Sequence, residues 1–282
     1  MGVYMVFPKG KRKALTLSYD DGIRQDRRLV EILDRYAIKG TFNVNCGSMN
    51  EEVDFEAKTG KMSKEEIKAL FENSAHELAI HGYTHEFDNL LPNNIMVNEI
   101  IEDRKALEKL TGKIIRGMAY PFGTYNDKLV DCLKACGIVY SRTVISSHSF
   151  KIPTDWLRLE ATCHHSDKEL MNLCDSFLEG KPTFPQVFYL WGHSFEFDRN
   201  VENNNWGIIE KFAEKMGNRD DIWYATNIEI YDYVKAYEAL NFSTDESLVH
   251  NPTATDVYII CSRTPDSPVV EVKAGQTVRL KD

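Results

Sequence analysis

A chain of 282 residues with 43% hydrophobic and 27% charged content is the size of one large α/β domain or two smaller ones. Its formal charge of −9 argues against a nucleic-acid binder, which needs a concentrated basic face. No apolar run nears the roughly 18 residues of a membrane span, and the six cysteines show neither disulfide nor zinc-ribbon spacing.

In chain order, Met1 to Phe7 is too short for a leader's apolar region. The expectation is therefore a reduced, cytoplasmic setting, or an extracellular one if a leader has been removed. The basic cluster Lys9, Lys11, Arg12 and Lys13 reads as a solvated approach to a strand over 13–19. Leu29, Ile32 and Leu33 mark one face of a helix over 25–36, and a strand over 40–45 follows. Ser63-Lys64-Glu65-Glu66 is a capping box opening a helix that runs to about residue 73. Next come a short strand over 77–80, a long helix over 92–110 stopped by Thr111-Gly112, and a strand over 114–120 ending at Pro121. A helix over 127–135, closed by Gly137, carries Cys132 and Cys136 one turn apart, where two buried thiols are commonplace. The main run ends with strands over 138–144, 186–191 and 222–225, and helices over 208–216 and 228–240.

Strands alternating with helices of this length imply a parallel sheet, open or closed into a barrel. After Asn241 the pattern changes to three short strands over 256–261, 269–272 and 277–280. Residues 1–240 are expected to form the main domain and 241–282 a small β appendage. That appendage either packs on the main domain or lends edge strands to an oligomer, whose state the sequence leaves open.

Four polar motifs fall at four strand ends. Leu15-Thr16-Leu17-Ser18-Tyr19 runs into Asp20-Asp21-Gly22. Alone, that triplet reads as a turn. Alternation, however, sends its two carboxylates in different directions, so they can take different tasks. His81-Gly82-Tyr83-Thr84-His85 follows the strand over 77–80, Tyr120-Pro121-Phe122-Gly123 the strand over 114–120, and Trp191-Gly192-His193 the strand over 186–191. Active sites of parallel α/β folds are built at the C-terminal ends of strands. Asp21, His81 and His85 supply one oxygen and two nitrogens and leave a coordination position open. Asp20 could then take a proton from water, and His193 could protonate a leaving amine. The chemistry is metal-assisted hydrolysis of an amide or ester.

The ordered set SYDDG, HGYTH, AYPFG and LWGH resembles the polysaccharide deacetylase family, carbohydrate esterases built on the nodulation-type deacetylase domain, over about residues 13–240. The resemblance implies a distorted (β/α) barrel of fewer than eight strands and a divalent metal, usually zinc. It also implies removal of acetyl groups from N-acetylated sugars. By position, Asp20 is the base, Asp21, His81 and His85 are the metal ligands, and His193 is the acid. The Phe122 backbone N–H serves the oxyanion, with Tyr120 and Trp191 beside the substrate. Phe195, Phe197 and Trp206 are expected in the core.

The chain departs from the family pattern in three places. Ala119 stands where many members carry an arginine that tethers the catalytic aspartate; Arg142 is the first candidate substitute and Arg116 the second. Gly82 replaces a Ser or Thr, leaving Thr84 to order the loop. Asp155-Trp156 is a candidate for the motif that orients the acid histidine, although a surface turn explains it as well. Cys163-His164-His165 looks like part of a metal cluster that nothing nearby in sequence completes, and His76 reads as a packed or capping residue. Two other readings are open: a hydrolase of a non-sugar amide or cyclic imide on the same barrel, or a catalytically silent carbohydrate-binding relative. In the cytoplasm the substrate would be a small glycoside or precursor rather than a polymer.

Overall fold

The computed structural model describes residues 2–49, 60–262, 264 and 267–280. Among these residues, nine parallel strands form the central sheet: β1 Lys13–Asp20, β2 Thr41–Val44, β3 Glu77–Ile80, β4 Gly117–Ala119, β5 Tyr140–Ser146, β6 Leu159–Ala161, β7 Cys163–His164, β8 Gln186–Gly192 and β9 Ile222–Tyr224. Their order is β6-β5-β4-β3-β2-β1-β8-β7, with β9 lying along the first half of β1.

The two ends of that order are halves of one segment. β6 pairs with β5 and β7 pairs with β8, and Thr162 joins them. Its N–H donates to the Tyr189 carbonyl at 2.8 Å, and its Oγ1 accepts the Tyr189 N–H at 3.0 Å. With β6 and β7 counted as one, the ring closes through seven strands. This is the distorted (β/α) barrel, of fewer than eight strands, that the motifs imply.

Strand alternation sorts side chains between two compartments. Leu15, Leu17, Tyr19, Phe42, Leu78, Ile80 and Met118 face outward, into the main core beneath the helices. Ala14, Tyr140, Val187, Tyr189 and Trp191 share a second cluster inside the barrel. The interior also carries hydrogen-bonded polar groups. Thr16 donates to Asn227 at 2.8 Å, Asn227 to Tyr189 at 2.7 Å, and Tyr140 to Glu77 at 2.7 Å. Asp20, Asn43 and Arg142 lie further along the same strands and share this inward parity, so the mouth at the strand ends continues a polar interior.

Among the described residues, seven α-helices cover the outside: α1 Asp26–Arg35, α2 Lys64–Phe71, α3 Asn93–Thr111, α4 Asp127–Ala135, α5 Leu170–Glu179, α6 Trp206–Met216 and α7 Asn227–Glu238. The capping box at Ser63 and Glu66 forms as read from the sequence. A second one at Thr226 and Glu229 opens α7. Two parts of the barrel were not predicted. The segment that becomes β6 and β7 is short and broken at Thr162. In α5, only Leu170, Cys174 and Phe177 are buried, spaced along one helical face.

Beyond α7, Val257–Ile260 pairs antiparallel with Val269–Val272 and, on its other side, with Tyr4–Val6 from the N-terminal region. Asn241–Phe242, Leu248–His250 and Thr277–Arg279 form a further three-stranded sheet. Ala236 and Leu240 share a core with Val249, Val257, Ile259 and Val272, so the β tail packs on the end of α7. Cys132 and Cys136 approach to 4.0 Å between sulfurs without a disulfide. Among the described residues, no helix is long and apolar enough to cross a membrane.

Candidate active site

The strand ends converge. Asp21, at the end of β1, lies 3.9 Å (Oδ1) from His81 Nε2 and 3.5 Å from His85 Nε2. One ligand atom from each of these residues lies within 4.8 Å of the others. His81 is fully buried, and its Nδ1 faces the Ala119 carbonyl at 2.8 Å. That contact places the proton on Nδ1 and leaves the Nε2 lone pair facing Asp21, the tautomer a metal ligand requires. Burial pushes the His81 pKa down. Burial and then neighbouring His81 lower that of His85 to about 4. Both rings are therefore neutral donors at neutral pH, and one carboxylate with two imidazoles suits a divalent transition metal.

The backbone is bent to make this cluster. Asp21, His85 and Phe122 are non-glycine residues with φ of +82°, +61° and +56°, each costing of order 1 kcal/mol or more. Gly82 has φ +75°, and a Cβ there would sit 2.9 Å from Pro121 Cγ. No side chain fits where the family pattern has Ser or Thr. The loop is held through the backbone N–H of residue 84, which donates to Glu99 at 2.7 Å and does not call on the Thr84 hydroxyl.

Buried polar groups hold these loops from behind. Asn45, beyond β2, donates to the carbonyls of His81 and Gly82, the latter at 2.9 Å, and takes Lys61 Nζ on its own oxygen at 2.9 Å. Asp103 of α3 accepts the N–H groups of Cys46 at 2.8 Å and His81 at 3.0 Å. Asp26 of α1 accepts Ser194 Oγ at 2.6 Å and the Ile23 N–H at 3.1 Å, linking the Asp20-Asp21-Gly22 loop to the segment after His193.

Asp20 points into the barrel. Asn43 donates to its Oδ1 at 2.8 Å, and Arg142 Nη2 bonds its Oδ2. Arg142 is itself fixed by Ser18 Oγ at 3.2 Å, by the Thr143 carbonyl at 2.9 Å and by the Trp191 ring 4.3 Å away. Burial alone would raise the Asp20 pKa; the Arg142 charge, helped by His81 and His193, outweighs it and holds the carboxyl at about 2. Arg116, the second candidate for this contact, pairs with Asp232 of α7 at 2.5 Å. His193, one residue past β8, brings Nε2 to 3.9 Å from Asp20 and 4.0 Å from Asp21.

Phe122 stands at the rim, stacked on Phe87 with centroids 4.0 Å apart and edge-on to His85 at 4.5 Å. Its turn is closed by Gly123 N–H to Tyr120 O at 2.9 Å and by Thr124 N–H to Pro121 O at 3.2 Å, neither bond using the Phe122 N–H.

Two expected substrate contacts lie elsewhere. Tyr120 has the outward parity of Met118, so its side chain joins the core under the helices and spends its hydroxyl on the Leu157 carbonyl at 2.7 Å. Trp191 is inside the barrel, 7% exposed, where it packs on Arg142 rather than offering a face to a sugar. Asp155 caps the turn at Leu157 and pairs with Arg158, and Trp156 packs on Tyr231; neither touches His193. His76 accepts the Gly40 N–H at 2.9 Å, a packing role. Asn43 and Asn45 escaped the sequence reading. Two asparagines at alternate positions of an otherwise apolar strand were the available signal.

Residues 8–141 match the polysaccharide deacetylase family. Poly-β-1,6-N-acetyl-D-glucosamine N-deacetylase from Staphylococcus aureus is 28% identical over 148 residues, covering 47% of this chain and 49% of that protein. The chain thus spans about half the length of the curated relatives it matches. A candidate polysaccharide deacetylase from Mycobacterium smegmatis superposes with a TM-score of 0.60 at 19% identity, over 83% of this chain and 94% of that one. A family 4 acetyl xylan esterase from Clostridium thermocellum, solved with a cobalt ion, gives 0.50 at 15% identity over 78% and 90%. These likenesses show the same fold.

Proposed function

We propose, from the match of residues 8–141 to the polysaccharide deacetylase family, that this chain is a metal-dependent hydrolase that removes acetyl groups from N-acetylated sugars. The observation that carries the reading is the meeting of Asp21, His81 and His85 beside a separate buried carboxylate, Asp20, and an imidazole, His193. A sugar-binding relative without catalysis needs neither of the last two.

Asp21, His81 and His85 would hold the cation, with zinc the best match to two imidazoles and a carboxylate. Bound there, it would polarise the acetyl carbonyl and acidify water. Asp20, ionised at neutral pH and aimed by Arg142 and Asn43, takes the proton of the attacking water as its oxygen bonds the carbonyl carbon. The Phe122 N–H faces the developing oxyanion. His193 then gives its Nε2 proton to the amide nitrogen as the C–N bond breaks, leaving acetate and a free amine. The stacked Phe87 and Phe122 offer an apolar face to the pyranose ring.

Acetate release from an N-acetylglucosamine oligomer, abolished by a chelator and restored by zinc, tests the reading. Sugar binding that ignores chelator, with no acetate formed, would overturn it.

A further inference from the structure

The Cys163-His164-His165 stretch finds its partner in the fold. Glu196, in the turn after His193, sends Oε2 to 3.1 Å from Nε2 of both His164 and His165, and to 4.0 Å from His193 Nδ1. Its other oxygen takes Arg199 Nη1 at 3.1 Å. Glu196 Oε2 and His193 Nδ1 are both buried, and neither makes an aligned hydrogen bond, the contacts of Oε2 with His164 and His165 included. The His193 ring therefore spans two groups, with Nδ1 toward Glu196 and Nε2 toward Asp20 and Asp21.

The two other imidazoles bring Nε2 against the carboxylate as close charge contacts rather than aligned hydrogen bonds. His164 Nδ1 accepts the Ser166 N–H at 3.2 Å, so its proton is on Nε2, facing Glu196. His165 Nε2–H donates to the Asn204 oxygen at 3.0 Å, with Glu196 Oε2 beside that bond. Its ring stacks on Tyr19 and passes so close to β8 that a Cβ at Gly192 would lie 2.0 Å from His165 Nδ1. Glycine before His193 is what admits this ring. Burial would raise the Glu196 pKa, but His164 and His165 outweigh it and hold the group well below the usual carboxylate range.

We propose that Glu196, fixed by His164 and His165, is a positioning residue that takes the His193 Nδ1–H and aims Nε2 at the leaving nitrogen. This rests on the assignment of His193 as the proton donor in deacetylation. His164, His193 and Glu196 are also close enough to share a cation. The His164 tautomer argues against that use, since its lone pair is already taken by Ser166 and an N–H faces the cluster. His81 shows the opposite arrangement.

Leaving-group chemistry separates the roles. An amide needs its nitrogen protonated, whereas 4-nitrophenolate leaves without a proton. In the metal-loaded enzyme, Glu196→Gln is expected to lower kcat for an N-acetylglucosamine oligomer relative to 4-nitrophenyl acetate by about 100-fold, with KM for the oligomer and metal content unchanged. An unchanged ratio, from equal losses or none, overturns the proposal. So does a second metal equivalent that the variant loses. Should Glu196→Gln fail to fold, His164→Gln at the rim of the cluster must lower the same ratio, and a constant ratio there is equally decisive. Wild-type enzyme that cleaves the aryl ester but no N-acetylated sugar would instead sink the deacetylase reading on which the proposal stands.

Discussion

The guanidinium of Arg142, on β5, lies against the carboxylate of Asp20 at the end of β1, and both side chains are almost wholly buried. Arg142→Ala leaves a buried carboxylate without its cation, a change that costs about 3–5 kcal/mol. The Asp20 pKa then rises from about 2 to above the ordinary carboxylate range, because burial remains and its counterweight is gone. Turnover at neutral pH is expected to fall about 100-fold, with the acid limb of the kcat/KM profile moving to higher pH. Arg142→Lys, which keeps the charge but not the fork, falls between. An unchanged profile in Arg142→Ala would remove the tether.

Asn45 touches no proposed ligand side chain, yet it holds the carbonyls of His81 and Gly82. Asn45→Ala is expected to weaken metal binding about 10- to 100-fold, as loss of outer support does, with His81 and His85 intact. Competitive titration against a chelating dye measures it, and wild-type affinity would show the loop to be self-supporting.

Asp88 is buried behind Gly82, and neither of its oxygens has a hydrogen-bond partner. Burial, with Glu99, Asp103 and Glu86 nearby, pushes its pKa up to about 8. The folded value is thus above the unfolded one, near 3.9. The cost of ionising Asp88 is absent below about pH 4, grows as pH rises to about 8 and is constant beyond. Asp88→Asn removes that cost. It should stabilise the protein by roughly 1–3 kcal/mol at pH 8, with a smaller difference at pH 5. Urea midpoints at the two pH values check this; equal shifts would mean the carboxyl is not held protonated.

Phe87 and Phe122 are 42% and 49% exposed, a poor place for two stacked rings unless something covers them. Phe87→Ala is expected to raise KM for the sugar about tenfold and to leave kcat nearly constant, since the ring touches no reacting group. A fall in kcat with KM fixed would place Phe87 in the chemistry instead.

Much of this site was legible because each motif is a strand running abruptly into polar or glycine-containing residues. Asp20, Asp21, His81, His85 and His193 are all of that kind. Arg142 was legible from its place late in a strand, as a substitute for the arginine missing at Ala119. Tyr120 and Trp191 misled because a motif fixes position along the chain, whereas parity decides which compartment a side chain enters. Tyr120 falls on the helix side and Trp191 inside the barrel. Glu196 was invisible for a different reason. Its significance depends on β7 closing the ring beside β8, and no local pattern announces that pairing. Alternation implied a parallel sheet, open or closed, and the motif resemblance implied the barrel, but its closure at Thr162 is a long-range event.

The most direct test combines metal analysis with acetate release over a panel of N-acetylated and O-acetylated sugars. One equivalent of divalent metal per chain is expected, with acetate freed from N-acetylated glucosamine oligomers and that release lost in His81→Ala and His85→Ala along with the metal. A chain that binds no metal at Asp21, His81 and His85, or that frees acetate equally well without one, would contradict the account.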